Sequence, residues 1–363
     1  MSKFISAHAT NASWQTALQD CMQQLAEVPD EYRLGFLYVT DFYAGDLARI
    51  QRELKAHTGV PHWVGTVGHA ICCTGKEYFE EPAMVIMLAD FPEDSFKLFT
   101  SPDDLPAVKQ AGLQFGIVHG DPRNGQLAEA IENITDKLGD AYLVGGLTSS
   151  SSYYYQLADE ICEGQFSGVI LSDSIPVVSG LTQGCSPIGP THTLTECEGN
   201  YAVSIDHRPA LDILKEDIGE ILARDLNRIG GYIFAGFPVS GSDTGDYMVR
   251  NLMGVDPDHG VLAIGEYLQT GSSLMFCRRD GRTAVDDLQR MLTHVKQRLT
   301  GKPRGGLYFS CMGRGQHMFG EVSKEMQLIQ EQLGDVPLAG FYANGEIAGQ
   351  HLYGYTGVLT LFL

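Results

Sequence analysis

One pattern constrains this chain more than any other: a strand, a glycine-bearing loop, an amphipathic helix and two further strands follow one another three times. In the first copy, residues 34–41 read as a buried strand and a loop with Gly45 follows. Leu47, Ile50 and Leu54 then share one helix face, and Gly59 fits the C-cap. Strands at 62–64, running to Gly65 and Gly68, and at 83–88 complete the unit. The second copy has a strand at 115–118 and the loop His119-Gly120-Asp121-Pro122-Arg123-Asn124-Gly125. Its helix carries Leu127, Ile131, Ile134 and Leu138, and its later strands run 141–144, ending at Gly145-Gly146, and 167–172. The third has a strand at 306–310, the loop Cys311-Met312-Gly313-Arg314-Gly315, and a helix face of Val322, Met326, Ile329 and Leu333. Strands at 337–341 and 355–363 close it.

A strand–helix–strand crossover pairs its two strands in parallel, and a strand returning by a short connection pairs antiparallel. The spacing therefore predicts an α/β fold of mixed parallel and antiparallel sheets, built from repeated β-α-β-β units. One unit cannot bury its sheet alone, so the copies must pack together or share sheets. A glycine at the end of each second strand ties the three together. Between copies two and three lies a different segment. Residues 176–184 and 192–205 read as antiparallel strands, with Glu198-Gly199-Asn200 as a turn. A helix from 209 to 227 shows Leu211, Leu214, Ile218, Ile221 and Leu222 on one face. Strands at 232–237, 246–252, 260–267 and 272–278 precede a helix through Val285, Leu288, Leu292, Val295 and Leu299. The expected division is residues 1–206 and 207–363.

A formal net charge of −20 argues against nucleic acid and anionic membrane as partners, since an acidic surface repels phosphate. The amino-terminal residues hold no apolar run of signal-peptide length, and no stretch reaches the length of a membrane span, so the expected location is the cytoplasm. The eight cysteines are scattered without a C-x-x-C pair, which argues against a disulfide framework or structural zinc.

No phosphate loop, nucleophile elbow or H-E-x-x-H motif is present. Gly313-Arg314-Gly315 joins a strand to a helix, but the next glycine is Gly320, which breaks dinucleotide spacing. Each copy nonetheless sets a glycine loop at the carboxyl end of a strand, where free N–H groups suit an anion. Arg123 and Arg314 could clamp a carboxylate there, with Gly313 and Gly315 giving the backbone access. Asn344 and Glu346, after the second strand, could accept from an amine. That set fits an amino-acid-like zwitterion; equally, Arg314 and Glu346 could simply pair with each other. Histidines lie in or beside the loops of all three copies: His69, His119 and His317. A haem iron needs only one axial donor and leaves almost no motif, so haem stays open, with His69 the residue to mutate first. Cys311, expected at a helix N-terminus, is a candidate nucleophile without an identifiable base.

The runs Tyr308-Phe309-Ser310-Cys311-Met312-Gly313-Arg314-Gly315, Pro337-Leu338-Ala339-Gly340-Phe341-Tyr342-Ala343-Asn344-Gly345-Glu346 and Tyr355-Thr356-Gly357-Val358-Leu359 resemble the C-terminal half of the FIST family. Gly145-Gly146 and Gln183-Gly184-Cys185-Ser186-Pro187-Ile188-Gly189 resemble its N-terminal half. The resemblance implies a small-ligand sensory module of signal transduction, with amino acids as proposed ligands and one haem-binding branch that senses nitric oxide. No kinase or cyclase segment occurs in these residues. The expectation is a stand-alone module acting on a separate histidine kinase or cyclic-dinucleotide enzyme. The stretch after Gly65 departs from the family pattern, reading Thr66-Val67-Gly68-His69-Ala70-Ile71-Cys72-Cys73.

Overall fold

The computed structural model describes residues 3–105, 113–139, 141–239 and 245–363. Two compact units divide the chain: residues 1–182 with 285–363, and residues 183–284.

In the first unit, β1 (Phe4–Thr10) and α1 (Trp14–Leu25) precede the first copy. That copy is β2 (Leu34–Thr40), α2 (Leu47–Thr58), β3 (His62–Gly68), the hairpin β4 (Ala70–Cys73) and β5 (Lys76–Phe79), and β6 (Ala83–Ala89). Helix α2 forms because Leu47, Ile50 and Leu54 recur at three- and four-residue steps and bury together. Gly59, left-handed at φ 69°, stops it with its N–H on Lys55 O. Each such buried aliphatic side chain contributes about 1.5–3 kcal/mol of transfer free energy. Strand β7 (Phe96–Phe99) leads to the second copy: β8 (Leu113–Gly120), α3 (Leu127–Leu138), β9 (Tyr142–Leu147), the hairpin β10 (Gln156–Ala158) and β11 (Glu160–Cys162), and β12 (Phe166–Ser172). Strand β13 (Val177–Gln183) follows.

The second unit contains β14 (Cys185–Pro187), β15 (His192–Glu198), β16 (Tyr201–Ile205), β17 (Arg208–Pro209), α4 (Ala210–Ala223), β18 (Ile233–Pro238), β19 (Tyr247–Asp256), β20 (Val261–Ile264) and β21 (Ser273–Arg279). Its main strands close a ring in the order β21-β15-β16-β20-β19-β18, with β18 returning to β21, all antiparallel. Closure removes the sheet edges that an open antiparallel sheet would expose. Leu211, Ile213 and Leu214 of α4 join the barrel's apolar core. The helix expected to run to 227 stops sooner. Gly219 (φ 76°) breaks it, and Ile221, expected on the buried face, is 77% exposed.

Helix α5 (Gly281–Arg298) leads back to the third copy: β22 (Gly305–Cys311), α6 (Gln316–Phe319), α7 (Lys324–Leu333), β23 (Leu338–Ala343), the hairpin β24 (Glu346–Ala348) and β25 (His351–Tyr353), and β26 (Thr356–Phe362). Two expectations are corrected here. A one-turn helix intervenes between the glycine loop and the long helix, and Val322 precedes α7 and is 63% exposed.

All three copies have the expected mixed pairing, first strand parallel to second and antiparallel to last. They share sheets by a cyclic exchange that the sequence did not reveal. The hairpin after each second strand joins another copy's second strand: β4 pairs β23, β24 pairs β9, and β10 pairs β3. Each copy thus lends one hairpin and receives one, which gives the unit an approximate threefold character.

The recurring glycines lie inside the second strands rather than at their ends. Gly65, Gly145 and Gly340 sit opposite Leu37, Val118 and Tyr308. An added Cβ would lie 1.8, 1.8 and 1.7 Å from those residues' carbonyl oxygens, so any side chain would push the paired backbones apart. The next residue along each first strand points to a common centre. The rings of Tyr38, His119 and Phe309 lie 5.6 to 6.2 Å apart, with Phe341 stacked 5.5 Å from Tyr38. His119, expected in a loop, is therefore a fully buried strand residue. It lies 3.2 Å from the Tyr38 hydroxyl through Nε2, and burial lowers its pKa to about 3, so it is neutral.

Candidate functional site

Register between β22 and β23 places the loop after each beside the other, since Cys311 pairs with Ala343 at the strand ends. Arg314 leaves the first loop and turns inward until it is fully buried. Its partner is Glu325, on the first turn of α7, and not Glu346. Nε donates to Glu325 Oε1 at 2.8 Å, and Nη2 lies 2.7 Å from the same oxygen without hydrogen-bond alignment. Glu325 gathers further donors: Tyr308 OH at 2.6 Å, Ser310 Oγ at 3.1 Å, Gly315 N–H at 3.3 Å and Tyr342 OH at 3.4 Å. The anion drawn to this loop is thus the chain's own carboxylate.

Gly313 and Gly315 earn their places by packing. A Cβ on Gly313 would meet the Tyr355 ring at 2.9 Å, and one on Gly315 the Phe79 ring at 2.5 Å. The N–H groups expected to cradle a ligand are used internally, Gly313 to Cys311 Sγ and Arg314 to Cys311 O.

Glu346 is also fully buried. Its Oε2 accepts from Thr356 N–H at 3.1 Å and Thr356 Oγ1 at 2.8 Å. Burial pushes its pKa up to about 8, although the Thr356 hydrogen bonds and the Arg314 charge favour ionisation. Cys311 also favours the ionised form, yet Oε1 itself has no aligned donor. Glu77, from the hairpin lent by copy one, completes the surroundings. Its Oε1 accepts from Met326 N–H at the start of α7, and burial, then the Glu325 charge, raises its pKa to about 7. Among the described residues, Arg314 Nη1 and Nη2, Glu346 Oε1 and Glu77 Oε2 are buried without a hydrogen-bond partner. Leaving such atoms unmatched costs about 1–3 kcal/mol each.

The remaining residues singled out from sequence lie apart. Asn344 is exposed and gives its N–H to Leu147 O. Arg123 is half-exposed and committed to Asp121 and Glu163, both at 2.6 Å, with its guanidinium over the Tyr154 ring. His69 is 46% exposed, its Nδ1 3.8 Å from Asp41, whose carboxylate also accepts from the Ser150 and Ser151 hydroxyls. A haem ligand needs an apolar slot for the macrocycle. The polar, open setting of His69 does not fit one, and His119 is surrounded by the rings of Tyr38, Phe309 and Phe341 at 5.6 to 6.1 Å. Cys311 is held as a thiol: burial, then the Glu346 charge, pushes its pKa upward, the reverse of an activated nucleophile.

Sequence reasoning missed Glu325, Tyr308, Glu77 and Thr356. Glu325 falls at the start of a helix pattern, where a carboxylate usually serves the dipole, so only the fold reveals its buried role.

Residues 33–208 match the family model described as the FIST N domain, and residues 210–349 match that of the FIST C domain. The chain is 32% identical over 313 residues to the uncharacterized protein Rv0628c of Mycobacterium tuberculosis (strain ATCC 25618 / H37Rv), covering 79% of this chain and 78% of that one. It is 30% identical over 283 residues to the uncharacterized protein Mb0898c of Mycobacterium bovis (strain ATCC BAA-935 / AF2122/97), covering 72% and 71%. No helix among the described residues is long and apolar enough to cross a membrane.

Proposed function

Because the chain belongs to the FIST family, whose domains are generally sensory domains of signal transduction, we propose that it is a cytoplasmic sensor for a small amino-acid-like ligand. The ligand's carboxylate meets Arg314 and its amine meets Glu346; a separate signalling enzyme reads the result. One observation carries the reading: a buried guanidinium whose Nη1 has no partner and a buried carboxyl with one unmatched oxygen lie on adjacent loops of one copy. Buried polar groups are almost always matched, so unmatched ones gathered on two adjacent loops support a ligand that supplies the missing partners.

The repeat supports a single site. Arg314, Tyr43 and Asn124 lie six residues past the first-strand residue that faces each paired glycine, and Glu346, Ile71 and Gln156 each lie opposite the residue after another copy's strand glycine. Only copy three sets a guanidinium and a carboxyl at these two positions.

A thermal-shift screen of amino acids and related zwitterions tests this. A ligand at 100 times its Kd stabilises by about 2.7 kcal/mol. Glu346→Gln, which preserves the side chain's shape, should remove that gain. No shift with any zwitterion, using well-folded protein, would sink the reading.

A further inference from the structure

Arg314 is fully buried, so a ligand can reach its open Nη1 only if something moves. The Phe319 ring lies over the guanidinium, 5.2 Å from Cζ, and Phe319 belongs to the one-turn helix α6. That turn is bounded by Gly315 (φ 63°) and Gly320 (φ 84°), two left-handed glycines that can absorb large backbone changes. Among the described residues, the backbone hydrogen bonds of residues 316–322 stay local: Met318 and Phe319 N–H to Gly315 O, Gly320 N–H to Gln316 O, and Lys324 N–H to Glu321 O. No ladder ties the segment to a sheet. Met318 and Phe319 are buried on its inner side, while His317, Gly320, Glu321 and Val322 are exposed.

We infer that residues 316–319 form a lid over Arg314, hinged at Gly315 and Gly320, which opens to admit the ligand and carries the occupancy signal to its exposed residue His317. The inference rests on the ligand reading above and adds the moving part. Its physical basis is a difference in local stability. The lid is held by two apolar side chains and one cation–π contact, whereas the strands beneath it are held by paired ladders. Opening therefore requires none of the sheet to separate. A ligand that replaces the Phe319 contact with its own changes the lid's position, and the exposed His317 moves with it.

The test needs no identified ligand. Phenylglyoxal, an arginine-selective dicarbonyl, is applied to the folded protein, and modification of the Arg314 peptide is followed by mass spectrometry. Alkylation of Cys72, fully buried in β4 within the same sheet as β22 and β23, is followed in parallel as a reporter of wider opening. The lid predicts that Arg314 reacts while Cys72 stays inert. Gly320→Ala should raise the Arg314 rate about five-fold or more, because a side chain at positive φ strains the closed form and is relieved in the open one. The substitution meets no atom within 4 Å, so folding is preserved. Phe319→Ala should raise the rate as well. Arg314 reacting only in step with Cys72, or at a rate unchanged by both substitutions, would overturn the lid. A reactive Arg314 in a protein that no zwitterion stabilises would instead overturn the ligand reading and leave the lid standing.

Discussion

Replacing Glu325 by Gln should be among the most damaging single-atom changes in the first unit. The carboxylate is fully buried and receives Arg314 Nε, Tyr308 OH, Ser310 Oγ, Gly315 N–H and Tyr342 OH at 2.6 to 3.4 Å. An amide keeps the shape but turns one acceptor into a donor facing other donors, and it leaves the guanidinium without its counter-charge. Breaking a buried pair by removing one partner costs about 3–5 kcal/mol. That corresponds to about two to three and a half orders of magnitude in the folding constant. Both tryptophans, Trp14 and Trp63, lie in the first unit, so fluorescence during urea unfolding reads the relevant part of the chain. The double change Arg314→Met with Glu325→Leu removes both charges and should cost less than Glu325→Gln alone. A Glu325→Gln loss below about 1 kcal/mol, the range of an exposed ion pair, would refute the buried-pair reasoning.

The other predictions concern sterics and protons. Gly340→Ala and Gly65→Ala should each prevent normal folding of the first unit, because the new Cβ falls within 1.8 Å of a paired carbonyl. Gly164→Ala, at φ 82° with no atom within 4 Å, should cost only about 1–2 kcal/mol in the same unfolding assay. Glu346, pushed up to about 8 from 4.5, is favoured neutral in the fold. Its contribution is full below pH 4.5 and is lost progressively as pH rises from there through about 8, so Glu346→Gln should flatten the fall in melting temperature across that window. In the barrel, His192 holds Asp206 through Nδ1 at 2.7 Å and Asp217 through Nε2 at 3.0 Å, and only an imidazolium can donate to both. Burial opposes that charge, but the two carboxylates outweigh it and raise the pKa above 6.5. The stabilisation is full below that value and lost as pH rises through the folded one. NMR titration of the imidazole should show the raised value, and His192→Gln should remove the pH dependence.

The sequence carried the fold further than the site. Apolar spacing placed α2 and α3 and their glycine stops, because one buried face at helical steps leaves few alternatives. The three glycines signalled the repeat, and their cause is a carbonyl on the neighbouring strand. The hairpin exchange was illegible, since β4, β10 and β24 are three or four residues long and pair far along the chain. Gly219 kinked α4, which stops at Ala223, where side-chain periodicity alone suggested continuation. For the site, Arg314 and Glu346 stood out by chemistry, yet the partner of Arg314 lay eleven residues on at a helix start. Nothing local distinguishes a buried Glu325 from a solvated one; the Tyr308, Ser310 and Tyr342 hydroxyls that enclose it come from two strands brought together only by folding.

Isothermal titration of the best zwitterion from the screen, against wild-type protein, Arg123→Ala and Glu346→Gln, tests the central claim most directly. One ligand per chain, with unchanged affinity in Arg123→Ala and binding lost in Glu346→Gln, is the predicted result. Two or three ligands per chain, or loss in Arg123→Ala with Glu346→Gln unaffected, would contradict a single site in the third copy.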